Sequence, residues 1–146
     1  MVQRMHKVES ALHKGLVEDL LSWFQSWKGY RITGVDLPGY DQPGEVANTS
    51  GVGDGENKRP DIDAFDDNEE VYVRGEAKTG DGDLETEHSK TQFRLFANLY
   101  NKKNGKPSLL YIIVPAGKIA HLEAALRGLN LLDKPNVIPV KSGKYP

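Results

Sequence analysis

The chain has no cysteine and no long apolar run, and both absences limit what it can be. Without cysteine, disulfide bonds and thiolate zinc sites are excluded. No apolar segment approaches the roughly 18 residues that a membrane-spanning helix needs, and the N-terminus lacks the apolar core of a secretory signal peptide. We therefore expect a soluble cytoplasmic protein without membrane association.

Acidic residues are missing from one long stretch of the chain. Between His88 and Leu122 there is no Asp or Glu, although this stretch contains six basic residues. Residues 1–87 hold 9 Lys or Arg and 19 Asp or Glu, whereas residues 88–146 hold 10 and 2. An acidic half beside a basic half suits a metal-using site next to a surface for a polyanion, although charge runs are also typical of solvated faces.

Length and hydrophobic patterning indicate one domain of the α/β class. A chain of 146 residues with 38% hydrophobic content forms a single core, so residues 1–146 are assigned to a single domain. The patterns predict a mixed central sheet flanked by helices. In chain order the predicted elements are a helix over 3–27, strands over 30–35, 61–65 and 70–78, a helix over 86–103, a strand over 108–114, a helix over 118–129 and an edge strand over 136–141.

The first predicted helix and the segment after it have distinct patterns. Apolar residues recur at spacings of three and four, which predicts one buried stripe. The stripe consists of Val8, Leu12, Leu16, Leu20, Trp23 and Trp27. Gly29 is expected to end the helix, and the Gly- and Pro-rich segment 36–58 is expected to form a long surface loop.

A predicted hairpin carries acidic residues on facing strands. The segments DIDAF (61–65) and EVYVRGEAK (70–78) alternate like strands and are joined by the acidic turn DDNE. If the strands pair, Asp61 lies beside Glu76 and Lys78, which share one face of the second strand. We expect this polar face to point away from the core.

Two carboxylates beside an ammonium predict metal-assisted phosphate chemistry. Adjacent carboxylates repel each other, and a cation between them relieves the repulsion. Oxygen ligands without a thiol favour Mg²⁺ or Mn²⁺, held by Asp61 and Glu76 and completed by substrate phosphate. Lys78 would orient or deprotonate a metal-bound water or neutralise charge on phosphorus. Asp63, on the strand face of Asp61, is a candidate alternate ligand.

The spacing of these residues resembles the signature of the PD-(D/E)XK nuclease superfamily. Pro60-Asp61, followed after 14 residues by Glu76-Ala77-Lys78, lies in an element order that is similar over roughly residues 5 to 115. The segment TSGVGDGENKRPDI and the Gly29-Tyr30 turn resemble archaeal-type Holliday junction resolvases. The resemblance implies a restriction-endonuclease-like fold, Mg²⁺-dependent cleavage of DNA and a two-fold homodimer.

The superfamily also draws an acidic metal ligand from the first helix, and two residues are candidates. Glu9 lies on the apolar stripe that must meet the sheet, where a carboxylate needs a partner. Glu18 points nearly opposite, towards solvent, but its distance from the Gly29 turn is similar to that in archaeal resolvases. We prefer Glu9, with Glu18 as the alternative.

Side chains after the motif are candidates for DNA contacts. Gln92 resembles a glutamine that some superfamily members place against the scissile strand, and an ordinary surface residue is the other interpretation. Lys90, Arg94, Lys102 and Lys103 lie on the predicted helix and its end, where they would form a row for DNA phosphates. Ordinary solvation explains them nearly as well. The four histidines lack metal-ligand spacing relative to one another.

Other functions remain open at this point. A sequence pI near 6.1 is lower than the basic character usual for junction resolvases, which leaves a restriction-type or mobile-element nuclease as an alternative. The chain has no obvious target-recognition domain, which disfavours a sequence-specific restriction enzyme. A third alternative is a non-catalytic nucleic-acid-binding module with the nuclease fold.

Overall fold

Three α-helices and five strands make up residues 10–146, the part of the chain that this computed structural model describes. They are α1 (Ala11–Trp23), β1 (Arg31–Val35), β2 (Ile62–Asp66), β3 (Val71–Ala77), α2 (Glu87–Ala97), β4 (Leu109–Val114), α3 (Ile119–Gly128) and β5 (Val137–Lys141). A π-helical turn, Phe24–Lys28, continues α1. The element order agrees with the order predicted from sequence.

The five strands form one mixed sheet in the order β1-β2-β3-β4-β5. The pairs β1–β2 and β2–β3 are antiparallel, while β3–β4 and β4–β5 are parallel. Parallel neighbours need a crossover connection, and α2 and α3 provide the two crossovers. The last strand, β5, lies at the edge of the sheet as predicted, and the edge position tolerates the missing N–H of Pro139.

Helices cover both faces of the sheet, and β4 lies between two hydrophobic cores. Tyr111 and Ile113 of β4 pack with α1, whereas Leu110, Ile112 and Val114 pack with α2 and α3. The continuous apolar run of β4 is therefore explained by burial on both faces. Every helix within residues 10–146 is too short or too polar to cross a lipid bilayer.

The end of the first helix differs from the predicted stripe. Trp27 is 81% exposed, whereas Phe24 is fully buried and packs edge-on against the rings of Tyr30 and Tyr111. The π-helical turn has more residues per turn than an α-helix, so it rotates Trp27 away from the sheet. Gly29 ends the turn with a φ of 66°, in the left-handed region, as expected of a helix-terminating glycine.

Helix α1 approaches β3 closely at Gly75. A Cβ atom there would lie 2.8 Å from Leu20, 3.2 Å from Phe24 and 3.3 Å from Ile62. The missing side chain thus sets the distance between α1 and the strand that carries Glu76.

We predict that Gly75→Val lowers the free energy of unfolding by about 1–3 kcal/mol, because added carbons overpack this contact. Urea denaturation followed by circular dichroism measures the change. Gly143→Val is the matched control, since a Cβ at Gly143 meets no atom within 4 Å. Equal stability of the two variants would contradict the role given to Gly75.

Candidate active site

Asp61 and Glu76 lie side by side where β2 begins and β3 ends. The register pairs Ile62 with Gly75, so the residues one step further are neighbours. The Asp61 N–H donates to Gly75 O at 3.1 Å and to Glu76 Oε1 at 3.2 Å. The Ala77 N–H donates to Asp61 Oδ2 at 2.8 Å. Backbone groups thus hold both carboxylates at this point of the hairpin.

Burial makes the carboxylate pair electrostatically costly. Glu76 is only 3% exposed and Asp61 is also buried. Burial and, next, the negative charge of Asp61 raise the pKa of Glu76 to about 8, while Lys78 and His13 act in the opposite direction. A cation at this position would therefore offset both the cost of burying the two carboxylates and the repulsion between them.

Lys78 follows β3 and reaches back to the pair. Its Nζ lies 3.4 Å from Glu76 Oε2 and donates to Gln92 Oε1 at 2.7 Å. It is also 5.9 Å from the ring centroid of Phe93. Because α2 covers this end of β3, Lys78 is only 6% exposed. The prediction that this polar face points away from the core was therefore wrong at Glu76 and Lys78.

Gln92 is part of the site and is not a surface residue. It is 4% exposed, and its side-chain oxygen accepts the hydrogen bond from Lys78. The surface interpretation is thus wrong. Contact of Gln92 with DNA stays a prediction.

His13 is a site residue that sequence reasoning missed. Its Nε2 lies 3.3 Å from Asp61 Oδ2, and Ser10 holds the first turn of α1 by accepting a hydrogen bond from the His13 N–H at 3.0 Å. Spacing among the histidines themselves gave no signal. A possible signal was the position of His13 one residue after Leu12, beside the predicted buried stripe.

The first-helix acids do not join the described pair. Glu9 lies outside the described residues. Glu18 is exposed and lines a surface depression together with Leu37, Tyr40 and Lys144. Within residues 10–146, no three His, Asp or Glu side chains are grouped closely enough to hold one metal ion. The structure therefore brings together the two carboxylates, without Glu18 as a third.

Asp63 contacts different groups from those that Asp61 contacts. Its Oδ2 accepts a hydrogen bond from the Gly44 N–H at 2.7 Å, and its Oδ1 lies 3.6 Å from Arg74 Nε. Arg74 in turn donates to Ser108 Oγ at 3.2 Å. Burial raises the pKa of Asp63 despite these partners. The contacts connect the long loop to β2, and nothing in them brings Asp63 to Glu76.

The basic residues predicted to contact DNA lie partly on α2 and partly in the turn after it. Helix α2 ends at Ala97, so Lys102 and Lys103 lie in the turn after it. Lys90 and Arg94 border a groove between α2 and α3, whereas Lys103 borders a different depression beside Tyr72. The prediction that the helix reaches residue 103 was therefore wrong, and contact of these basic residues with DNA phosphates stays a prediction.

Comparison with known proteins leaves the family open. No protein-family model, no curated protein and no solved structure matches the chain.

We predict that Glu76→Gln changes the pH dependence of stability in metal-free protein. The folded pKa of about 8 lies above the ordinary 4.5, so the folded state binds the extra proton between these values. The Glu76 contribution to the free energy of unfolding therefore falls as pH rises from about 4.5 to about 8.

Urea unfolding with a chelator, at several pH values across this interval, measures the effect. From the acidic to the alkaline end of this interval, the free energy of unfolding of Glu76→Gln should rise by about 1–4 kcal/mol relative to that of the wild type. Glu18→Gln, which removes an exposed carboxylate, is the control and should run parallel to the wild type. Parallel curves for Glu76→Gln and the wild type would contradict the prediction.

Proposed function

We propose that the chain is a metal-dependent DNA endonuclease that hydrolyses phosphodiester bonds, with the restriction-endonuclease-like fold of the PD-(D/E)XK superfamily. The observation that carries the proposal is the convergence of Asp61, Glu76 and Lys78 at one buried point. The element order supports it, because a helix, an antiparallel three-stranded unit, a crossover helix and a parallel strand precede α3.

The donor set suits a hard divalent cation. Asp61 and Glu76 offer only oxygen, and Mg²⁺ is commonly held by one or two carboxylates with waters and substrate phosphate. Lys78 only partly offsets the burial and the charge of Asp61 that raise the pKa of Glu76, so a further cation would be favourable beside this carboxylate. Mg²⁺ or Mn²⁺ bound by these two residues would supply charge neutralisation and an acidified water.

Lys78 is the cationic group of the proposed reaction. Its ammonium contacts Glu76 and is oriented by Gln92, so it has little rotational freedom. A fixed cation in a buried site stabilises negative charge on phosphorus better than a mobile one in water. We assign Lys78 to the scissile phosphate and Gln92 to its orientation.

A buried set of this kind also favours catalysis over a binding module. Taking ions out of water costs several kcal/mol per ion before compensation, and apolar residues would fill the same space without that cost. A module that only binds DNA needs no buried carboxylate pair. We therefore favour the enzyme over the non-catalytic alternative.

The proposed substrate is DNA with a structural distortion, of which a four-way junction is the first to test. The stretch 88–146 is strongly basic, which suits contact with DNA phosphates. A junction enzyme would act as a two-fold homodimer, since two strands must be nicked symmetrically.

We predict Mg²⁺-dependent cleavage of at least one of four substrates: duplex, single-stranded, flapped and four-way junction DNA. Asp61→Asn, Glu76→Gln and Lys78→Met should each lower the single-turnover rate by about 10²–10³-fold or more, because each removes a charge that acts on the reacting phosphate. Gel analysis of end-labelled DNA measures the rates.

Lys141→Met, which removes an exposed lysine on the edge strand β5, is the control for loss of one positive charge. Circular dichroism checks that all variants are folded. Absence of cleavage on every substrate would refute the enzyme, and full activity of Lys78→Met would refute the role of that lysine.

A separate prediction concerns the basic turn after α2. Replacing Lys102 and Lys103 with alanine should reduce the slope of log affinity against log salt by about 1.8, the value for two lost phosphate contacts in duplex DNA. Fluorescence anisotropy with labelled duplex at several salt concentrations, in chelator, measures the slope. A slope equal to that of the Lys141→Ala control would remove these residues from the DNA surface.

A further inference from the structure

Lys58 is a buried lysine that the proposed reaction does not use. Its side chain is 1% exposed, and its Nζ has three polar neighbours. They are Asp54 Oδ2 at 2.7 Å, His88 Nδ1 at 2.7 Å and Glu56 Oε1 at 3.4 Å. Three N–H groups thus meet three acceptors, which is the full donor capacity of an ammonium. A lysine is rarely buried unless it is paired in this way.

His88 takes a defined protonation state in this contact. An ammonium only donates, so the Nδ1 atom of His88 must accept. The imidazole is therefore neutral, with its proton on Nε2. The contact joins the first turn of α2 to a segment far from it in sequence.

The same segment rests on α2 through a second contact. The Asp54 N–H donates to Thr91 Oγ1 at 3.0 Å, and a Cβ at Gly53 would lie only 2.0 Å from the same oxygen. Val46 and Lys58 pair by backbone hydrogen bonds in both directions. We call residues 46–58 the docked loop.

The docked loop leads directly to Asp61 in the chain and also contacts α2, the helix that carries Gln92. Lys58 lies three residues before Asp61, and Thr91 is adjacent to Gln92, which holds Lys78. His88 precedes Gln92 by four residues on α2, so the Lys58 contact and the candidate site lie one turn apart on the same side of this helix. Lys58 also offsets one of the two negative charges of Asp54 and Glu56, which lowers their repulsion of a DNA backbone.

Resting on the proposed function, we propose that Lys58 is a positioning residue whose contact with His88 holds the docked loop against α2 as one wall of the DNA-binding site. DNA then meets a preorganised surface whose acids are already paired. Without the contact, ordering the loop and neutralising its acids would have to occur during binding, which weakens affinity.

The first measurement is hydrogen exchange, which does not depend on nuclease activity. In Lys58→Met and His88→Leu, the Asp54 amide should lose protection, while amides of β4 stay protected and show that the fold is intact. In His88→Asn, protection should persist, because the amide oxygen can occupy the place of Nδ1. Unchanged protection of Asp54 in Lys58→Met and His88→Leu would overturn the proposal.

The pH dependence of this protection gives a second readout. Burial and then the charges of Lys58 and Lys78 lower the pKa of His88, against the opposing charges of Asp54 and Glu56. Because the folded pKa lies below the ordinary value of about 6.5, docking should be complete above that pH and be lost as pH falls through the folded pKa. In His88→Asn, the Asp54 amide should stay protected as the pH falls. The same loss of protection in His88→Asn as in the wild type would contradict the role of the Lys58–His88 contact.

DNA binding in chelator, by anisotropy with a labelled four-way junction, decides the positioning role. Lys58→Met and His88→Leu should raise Kd about tenfold or more, as for hydrogen bonds to a charged group, while His88→Asn stays near the wild type. The Lys141→Met control measures loss of a lysine charge alone.

If both variants undock the loop but bind DNA as the wild type does, the positioning role is overturned while a nuclease can still stand. A wild type that cuts no substrate overturns the enzyme separately, because exchange and binding are measured without cleavage.

Discussion

The pairing of β2 with β3 is the constraint on which the candidate site depends. With Ile62 opposite Gly75, Asp61 and Glu76 become neighbours, and backbone N–H groups of Asp61 and Ala77 hold the two carboxylates. A slip of one residue would turn these side chains to the other face of the sheet. The length of the acidic turn between β2 and β3 sets this register. The turn therefore determines the position of the site, although none of the side chains of the turn belongs to the site.

Packing of α2 on the end of β3 gives the site its electrostatic character. The helix buries Glu76 and Lys78 and contributes Gln92, so charges that would be screened in water act on each other in a poorly solvated space. The nearby cations each lie beside acidic side chains: Lys78 beside Glu76, Arg74 beside Asp63, and Lys58 beside Asp54 and Glu56. Such sets are compatible with a stable fold because each buried ion has a partner.

Sequence patterns predicted the elements well because most of them are local signals. The apolar run of β4, the alternation of β3 and the glycine after the first helix each identify their structure without reference to distant residues. Trp27 departs from its stripe because a π-helical turn changes the rotation per residue. Helix α2 ends at Ala97, earlier than predicted, and so separates Lys102 and Lys103 from Lys90 and Arg94.

The juxtaposition of Asp61, Glu76 and Lys78 could be predicted from the chain alone, since alternation and a short turn place them within one hairpin. The side chains that surround these three residues could not be predicted from the chain alone. His13, Gln92 and His88 reach the hairpin or its loop from two helices on different faces of the sheet, and no local pattern encodes which turn of a helix faces a given strand. Burial of Lys58 depends in the same way on a loop folding against α2. These relationships arise only when hydrophobic packing of both helices fixes their positions, so the tertiary structure decided which side chains surround the two carboxylates.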